Sequence, residues 1–245
     1  MSLPTDTDRR GPQFPRSMGA ESEPDAMLVG IKIAATSPEV QHRLGCTRPI
    51  WGWLTDAMEL HDGACVEGPQ ITSMRAEAEL VFILGQDLRG PDVTYRDVLA
   101  ATDAVCAGIE LPTRLPPGVK PSVNELLARN ALAGKFVLGC PVANWHHLDL
   151  TLLGVVLDVN GEPVGSGTPA AVLGHPAHAI ASVVNDLGDT ATDSANTPAY
   201  LRAGQIIFTG GITAAVALAP GMSVEARFAH LGSVGIHTDN DETVG

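Results

Sequence analysis

Two carboxylates two residues apart stand out in Arg75-Ala-Glu77-Ala-Glu79-Leu-Val-Phe-Ile-Leu. Alternate residues of a strand share a face, so Glu77 and Glu79 lie side by side, about 6 to 7 Å apart along the backbone. Val81 and Ile83 continue that face and Ala78, Leu80 and Phe82 form the other, so both faces are apolar. Like charges entering such a face need a cation between them. A hard divalent ion, Mg²⁺ or Mn²⁺, suits oxygen ligands of this kind. The same spacing also fits an exposed pair at a strand end, partly neutralised by Arg75. Glu110, in Ala107-Gly-Ile-Glu110-Leu-Pro, offers a third oxygen ligand or, equally, a salt-bridged surface carboxylate.

Lys32 is the one charge in the apolar run Val29-Gly-Ile-Lys32-Ile-Ala. It either snorkels to solvent or points into a polar site, where an ammonium can pair with an anion or shuttle a proton. His175 precedes Pro176 at the start of a helical pattern, as a packing residue or a donor. His178 follows three residues on with no carboxylate partner, which makes a weak metal site. His146 and His147 read as solvated loop residues. Gly210-Gly211 lets a ligand approach backbone amides closely or marks a bulge.

These groups need elements to hold them. Apolar runs at 27–33, 78–84, 136–138, 153–159, 206–208 and 212–218, bounded by turn residues, predict strands. Asn160-Gly161 predicts a hairpin turn. Helical patterns span 37–44, with Ser37 as N-cap and Pro38 at the first position, and also 95–107 and 176–186. The second half reads as strands around a single helix. The order fits an α+β fold with a largely antiparallel sheet better than a doubly wound parallel one.

The chain has 245 residues and is 44% hydrophobic, enough for one domain with a real core. Residues 1–26 and 238–245 read as polar tails around a single domain at 27–237. Lys plus Arg number 15 against 28 Asp plus Glu, a net charge of −13. The few bases do not cluster, which argues against a nucleic-acid partner. Cys46, Cys65, Cys106 and Cys140 show no zinc spacing and read as reduced core residues of a cytoplasmic protein. No secretory h-region and no run of about 18 apolar residues occurs, so export by that route and a membrane partner are not expected.

As an ordered set, the motifs resemble the 2-keto-4-pentenoate hydratase / 4-oxalocrotonate decarboxylase family of the fumarylacetoacetate hydrolase superfamily, over about residues 27–236. The resemblance rests on Gly30-Ile-Lys32-Ile-Ala-Ala-Thr-Ser37, Glu77-Ala-Glu79, Gly108-Ile-Glu110, Asn130-Ala, Gly165-Ser-Gly167, Val172-Leu-Gly-His-Pro176, Thr209-Gly210 and Leu231-Gly-Ser-Val234. It implies a twisted, mixed, mostly antiparallel β-roll with flanking helices. It also implies Mg²⁺ or Mn²⁺ on Glu77, Glu79 and Glu110, Lys32 as catalytic residue, and substrate-binding positions at Ser37, Asn130, Ser166, His175 and Thr209. The implied substrate is a small 2-oxo acid, and the implied assembly is a homo-oligomer or a complex with a companion hydratase or decarboxylase.

The segments 48–56, 87–91, 98–103 and 209–213 are more similar to the decarboxylase branch, which implies a 4-oxalocrotonate (2-oxo-3-enedioate) decarboxylase. Alternatives are 2-hydroxypenta-2,4-dienoate (2-keto-4-pentenoate) hydratase, a related lyase or isomerase of a specialised pathway, and a catalytically silent partner subunit. Ile31, Thr113 and Arg129 depart from the family pattern around the site.

Overall fold

A computed structural model describes residues 26–190 and 199–240, without the side chains of 189–190. The elements in chain order are β1 (Leu28–Ala34), α1 (Pro38–Leu44), β2 (Ile50–Thr55), β3 (Glu59–Leu60), β4 (Ala64–Val66), β5 (Arg75–Leu84), α2 (Tyr95–Ala101), β6 (Thr102–Leu111), α3 (Val123–Ala128), β7 (Lys135–Leu138), β8 (Val155–Val159), β9 (Glu162–Gly167), α4 (Pro176–Thr190), β10 (Ile206–Phe208), β11 (Val216–Ala217), β12 (Ser223–Phe228) and β13 (Gly232–Thr238). No described helix is long and apolar enough to cross a membrane.

The strands form two sheets. One runs β2-β1-β10-β5-β6-β7-β3, with β11 also on β5, and the other runs β4-β13-β12-β8-β9. Only β1 with β10, β4 with β13 and β3 with β7 pair in parallel. The expected mixed, mostly antiparallel α+β architecture is what the chain adopts. The first sheet buries both faces, which explains why β5 reads as an almost continuous apolar run. Ala76, Ala78, Leu80 and Phe82 join the large core with β12, β13 and α4. Val81 joins Leu54, Cys106, Phe136, Ile206 and Phe208 in a smaller core on the other face.

The predicted helix at 95–107 ends at Ala101, and Thr102 opens β6. Thr102 Oγ1 donates to the Val98 carbonyl at 2.7 Å, and the β-branched and glycine residues that follow gain more from the ladders with β5 and β7 than from a helix. The predicted strand at 212–218 survives only as β11. The helix from Pro176 runs to Thr190, four residues beyond the expected end. Asn160 and Gly161 take positive φ between β8 and β9, as a two-residue hairpin turn requires. Two elements without a sequence-based expectation bear on the site: β2, beside β1, and α3, closed by a Ser122–Glu125 capping box.

β13 includes Thr238, one residue past the expected domain edge; the N-terminal tail expected over 1–26 falls, save residue 26, outside the described residues. Of the four free cysteines only Cys106 is buried, and Cys140 is exposed, so the core assignment holds for one.

Candidate metal centre

The centre forms where β10 stops. Phe208 pairs with Val81, and the chain rejoins β5 only at Val216 opposite Ala76. Eight steps on this side therefore span five on β5, and the three extra residues bulge out opposite Glu79 and Glu77. Bulges of this kind re-aim side chains beside functional sites. Thr209 keeps the bulge attached, its N–H and Oγ1 both donating to the Leu80 carbonyl at 3.3 and 2.7 Å. Ile212 N–H donates to the Ala78 carbonyl at 2.9 Å.

Register then brings the acids together. Glu77 pairs with Glu110 on β6 and Glu79 with Gly108. One carboxylate oxygen from each of Glu77, Glu79 and Glu110 lies within 4.8 Å of the others. Lys32 reaches across from β1, its Nζ 2.7 Å from Glu110 Oε1, and both side chains are buried. Gly210 N–H donates to Glu79 Oε2 at 2.7 Å. Among the described residues Glu79 Oε1 has no hydrogen-bond partner. Such an oxygen in an interior needs a cation or a proton.

Below the acids the floor is apolar. Gly108 has no side chain because Val81 Cγ2 and Phe208 Cε1 occupy the place where a Cβ would meet them at 2.5 and 2.7 Å. The Phe208 ring packs edge-on against Phe136 at 5.5 Å.

Electrostatics follow from this burial. Desolvation raises the Glu77 carboxyl to about 7, Glu110 adds to the rise, and Lys32 and Arg75 oppose it. Glu79 is raised well above the usual range by burial and then by Glu110 and Glu77. Burial alone would lower the Lys32 ammonium, but Glu110, Glu77 and Glu79 together outweigh it and hold it above its ordinary value. Three carboxylates and one ammonium, all ionised, leave a charge of −2 in an interior, which one divalent cation cancels. Oxygens around a six-coordinate Mg²⁺ lie at most ~4.2 Å apart, so small side-chain rotations close this set. The residues present therefore fit a hard divalent ion.

The other expected site residues have described partners elsewhere. Ser37 Oγ accepts from Val40 N–H at 3.3 Å and caps α1. His175 Nδ1 accepts from Ala177 N–H at 3.0 Å at the start of α4, with Tyr95 and His178 as ring neighbours. Ser166 is exposed on the edge strand β9. The Asn130 amide accepts from Trp53 N–H at 2.7 Å and donates to the Trp53 carbonyl at 2.9 Å. That clasp lays the Asn130 carbonyl over Gly52, the register partner of Lys32. Three consecutive left-handed residues, Asn130, Ala131 and Leu132, form this wall, a strained arrangement that surrounding structure must enforce.

Sequence reasoning gave no role to Thr36 or to the steric role of Gly211. Thr36 packs against Gly210, whose φ of 114° only glycine adopts readily. A Cβ on Gly211 would sit 2.8 Å from Glu77 Oε2. Gly211→Ala is therefore expected to push the Glu77 carboxylate aside and weaken Mg²⁺ binding about tenfold, read by calorimetric titration. Because Gly211 is at the rim of the core, the melting temperature of the metal-free protein should barely move.

A mixed β-roll with a three-carboxylate, one-lysine cluster at an interrupted strand defines the class: residues 42–237 match the fumarylacetoacetate (FAA) hydrolase C-terminal family, and the chain belongs to it. Among its relatives is 4-oxalocrotonate decarboxylase of Pseudomonas sp. (strain CF600), 38% identical over 207 residues, 84% of this chain and 76% of the relative. Another is 2-hydroxyhexa-2,4-dienoate hydratase of Comamonas testosteroni, 36% identical over 211 residues, 85% of this chain and 77% of the relative. A solved structure of 4-oxalocrotonate decarboxylase from Pseudomonas putida G7, complexed with magnesium and adipate, is similar with a TM-score of 0.80 and 34% identity, covering 87% of this chain and 79% of that one.

Proposed function

We propose that this chain is a divalent-metal-dependent lyase acting on a 2-oxo-enoate, most like a 4-oxalocrotonate (2-oxo-3-enedioate) decarboxylase. The observation that carries the reading is the cluster of partly buried Glu77 with buried Glu79 and Glu110, and Lys32 2.7 Å from Glu110. When bound, Mg²⁺ or Mn²⁺ would supply a Lewis acid for the keto oxygen of the substrate. Glu77, Glu79 and Glu110 would hold that ion and leave its remaining positions to the substrate's oxygens. Lys32 Nζ, kept protonated by its acidic neighbours, can pair with a substrate carboxylate or hand a proton to the enolate oxygen that forms as CO₂ leaves. The floor of Val81, Phe136 and Phe208 excludes water and strengthens these charge interactions. The bulge holding Gly210 N–H on Glu79 fixes the carboxylate before substrate arrives.

Hydration of a 2-hydroxypenta-2,4-dienoate is the second reading. A relative named as a hydratase matches this chain almost as closely as the decarboxylase does, and both reactions draw electrons toward the same keto oxygen. The same reading carries a homo-oligomer, a companion hydratase or decarboxylase, and a cytoplasmic setting.

The test is proton NMR of the purified protein with 2-oxohex-3-enedioate, in Mg²⁺ and in EDTA. Decarboxylation gives 2-hydroxypenta-2,4-dienoate in Mg²⁺ and at least a hundredfold less in EDTA. Further conversion to 4-hydroxy-2-oxopentanoate adds hydratase activity. Metal binding without turnover of either compound would leave a silent partner subunit or another substrate.

A further inference from the structure

The face of β5 that carries the acids is graded in depth. Arg75 is exposed, Glu77 is partly buried, and Glu79 and Val81 are buried. All four share one face because they alternate along the strand. The inner end closes on Phe208 and Phe136, and of these four positions Arg75 is the one most exposed to solvent. A ligand whose 2-oxo acid end sits among the carboxylates cannot bury a second charge in the phenylalanine floor. A second carboxylate is better accommodated toward the exposed Arg75 end of the strand.

Arg75 has the chemistry to receive it. Its backbone is fixed on both sides, by pairing with Ala217 and by an N–H bond to the Pro112 carbonyl at 3.1 Å. Neither lateral neighbour is charged. The four ion pairs among the described residues do not include it. Arg114, just past the end of β6, instead donates through Nη1 to the Thr72 carbonyl at 3.3 Å. Arg75 and Glu77 are about 7 Å apart along the strand, and a six-carbon diacid spans about 6 Å across its five C–C bonds. A guanidinium grips a carboxylate through two parallel N–H bonds.

We propose that Arg75 binds the far carboxylate of a dicarboxylic 2-oxo acid and so selects diacids over monoacids at the candidate metal centre. The proposal rests on the 2-oxo acid reading above and names the residue that chooses within it. Because that carboxylate gives up its charge as CO₂ leaves, the ion pair holds bound substrate more strongly than the transition state, so its loss raises KM and does not lower kcat. A residue that merely props the strand would change both substrates alike.

The experiment is calorimetric titration of the full chain, loaded with Mg²⁺, with 2-oxoadipate and with 2-oxohexanoate, which have the same chain length and differ in the far carboxylate. The wild type should prefer the diacid by about tenfold, and high salt should shrink that preference because Arg75 is exposed. Arg75→Gln should lower affinity for 2-oxoadipate alone until the two ligands bind equally, and Arg75→Lys should restore part of the difference. Equal weakening of both ligands, or no change in either, would overturn the role of Arg75 and leave the 2-oxo acid site standing. Failure of the metal-loaded wild type to bind either ligand would overturn the site reading as well.

Discussion

Glu79→Gln is expected to lower Mg²⁺ affinity at least a hundredfold and, at the same time, to stabilise the metal-free protein at pH 8. The two effects have opposite signs because one group causes both. Glu79 is fully buried, with Oε2 held by Gly210 N–H and Oε1 without a partner among the described residues. In the metal-bound protein its charge is an asset, since a hard cation draws most of its affinity from anionic oxygen. In the metal-free protein the same charge is a burden, which is why its carboxyl is held well above the ordinary range.

A carboxyl whose folded value is raised penalises the folded state once the unfolded chain ionises. The cost is absent below the unfolded value, grows as pH rises from it, and is complete above the folded value. For Glu77 the window runs from 4.5 to about 7, which corresponds to roughly 3 kcal/mol and a fall in melting temperature of about 10 °C. Metal-free protein should therefore melt progressively lower between these pH values, while Mg²⁺ affinity climbs over the same range and then levels as fewer protons are displaced. Thermal melts of wild type and Glu79→Gln, in EDTA and in Mg²⁺ at pH 5.5 and 8, check all of these signs. A variant that binds Mg²⁺ as wild type does would remove Glu79 from the ligand set.

The acidic pair was legible because strand geometry has a period of two. Once residues 78–84 read as a strand, Glu77 and Glu79 had to share a face, and only burial remained undecided. Lys32 was legible for a similar reason, as one charge in an apolar run. What joins these residues was not legible. Lys32 and Glu110 are 78 positions apart, on β1 and β6 with two other strands between them in the sheet. Only the resemblance to a known family placed them in one site.

The bulge was hidden because residues 212–218 are apolar enough to read as a strand, whereas their backbone departs to seat Gly210 and Gly211 on the carboxylates. The Asn130 amide bonds the Trp53 backbone 77 residues away and His175 Nδ1 accepts from Ala177 N–H, and nothing in the amino-acid pattern announces either use. By contrast, α3 carried a readable signal, a serine followed three residues later by glutamate, and β12 alternates buried and exposed residues throughout.

Lys32→Met is expected to lower kcat by about a thousandfold, the usual scale for a lost proton-transfer group, without loss of Mg²⁺ affinity. Catalysis and metal binding separate here because the ammonium competes with the cation for Glu110 Oε1. Removing it frees an anionic oxygen, so Mg²⁺ should bind as tightly as in wild type or more so. The metal-free protein pays for that gain. Lys32 is the one buried cation facing three carboxylates among the described residues, and deleting one partner of a buried pair costs about 3 to 5 kcal/mol. At the usual conversion this lowers the melting temperature by roughly 6 to 20 °C in EDTA, and saturating Mg²⁺ should recover most of it through mass action. Lys32→Arg keeps the charge and should keep the stability, but its planar, permanently protonated fork cannot release a proton to the dienolate oxygen. A variant pair in which methionine loses both stability and turnover while arginine loses turnover alone would identify Lys32 as a proton donor. Equal turnover by the arginine variant and wild type would instead make Lys32 an electrostatic anchor for the substrate.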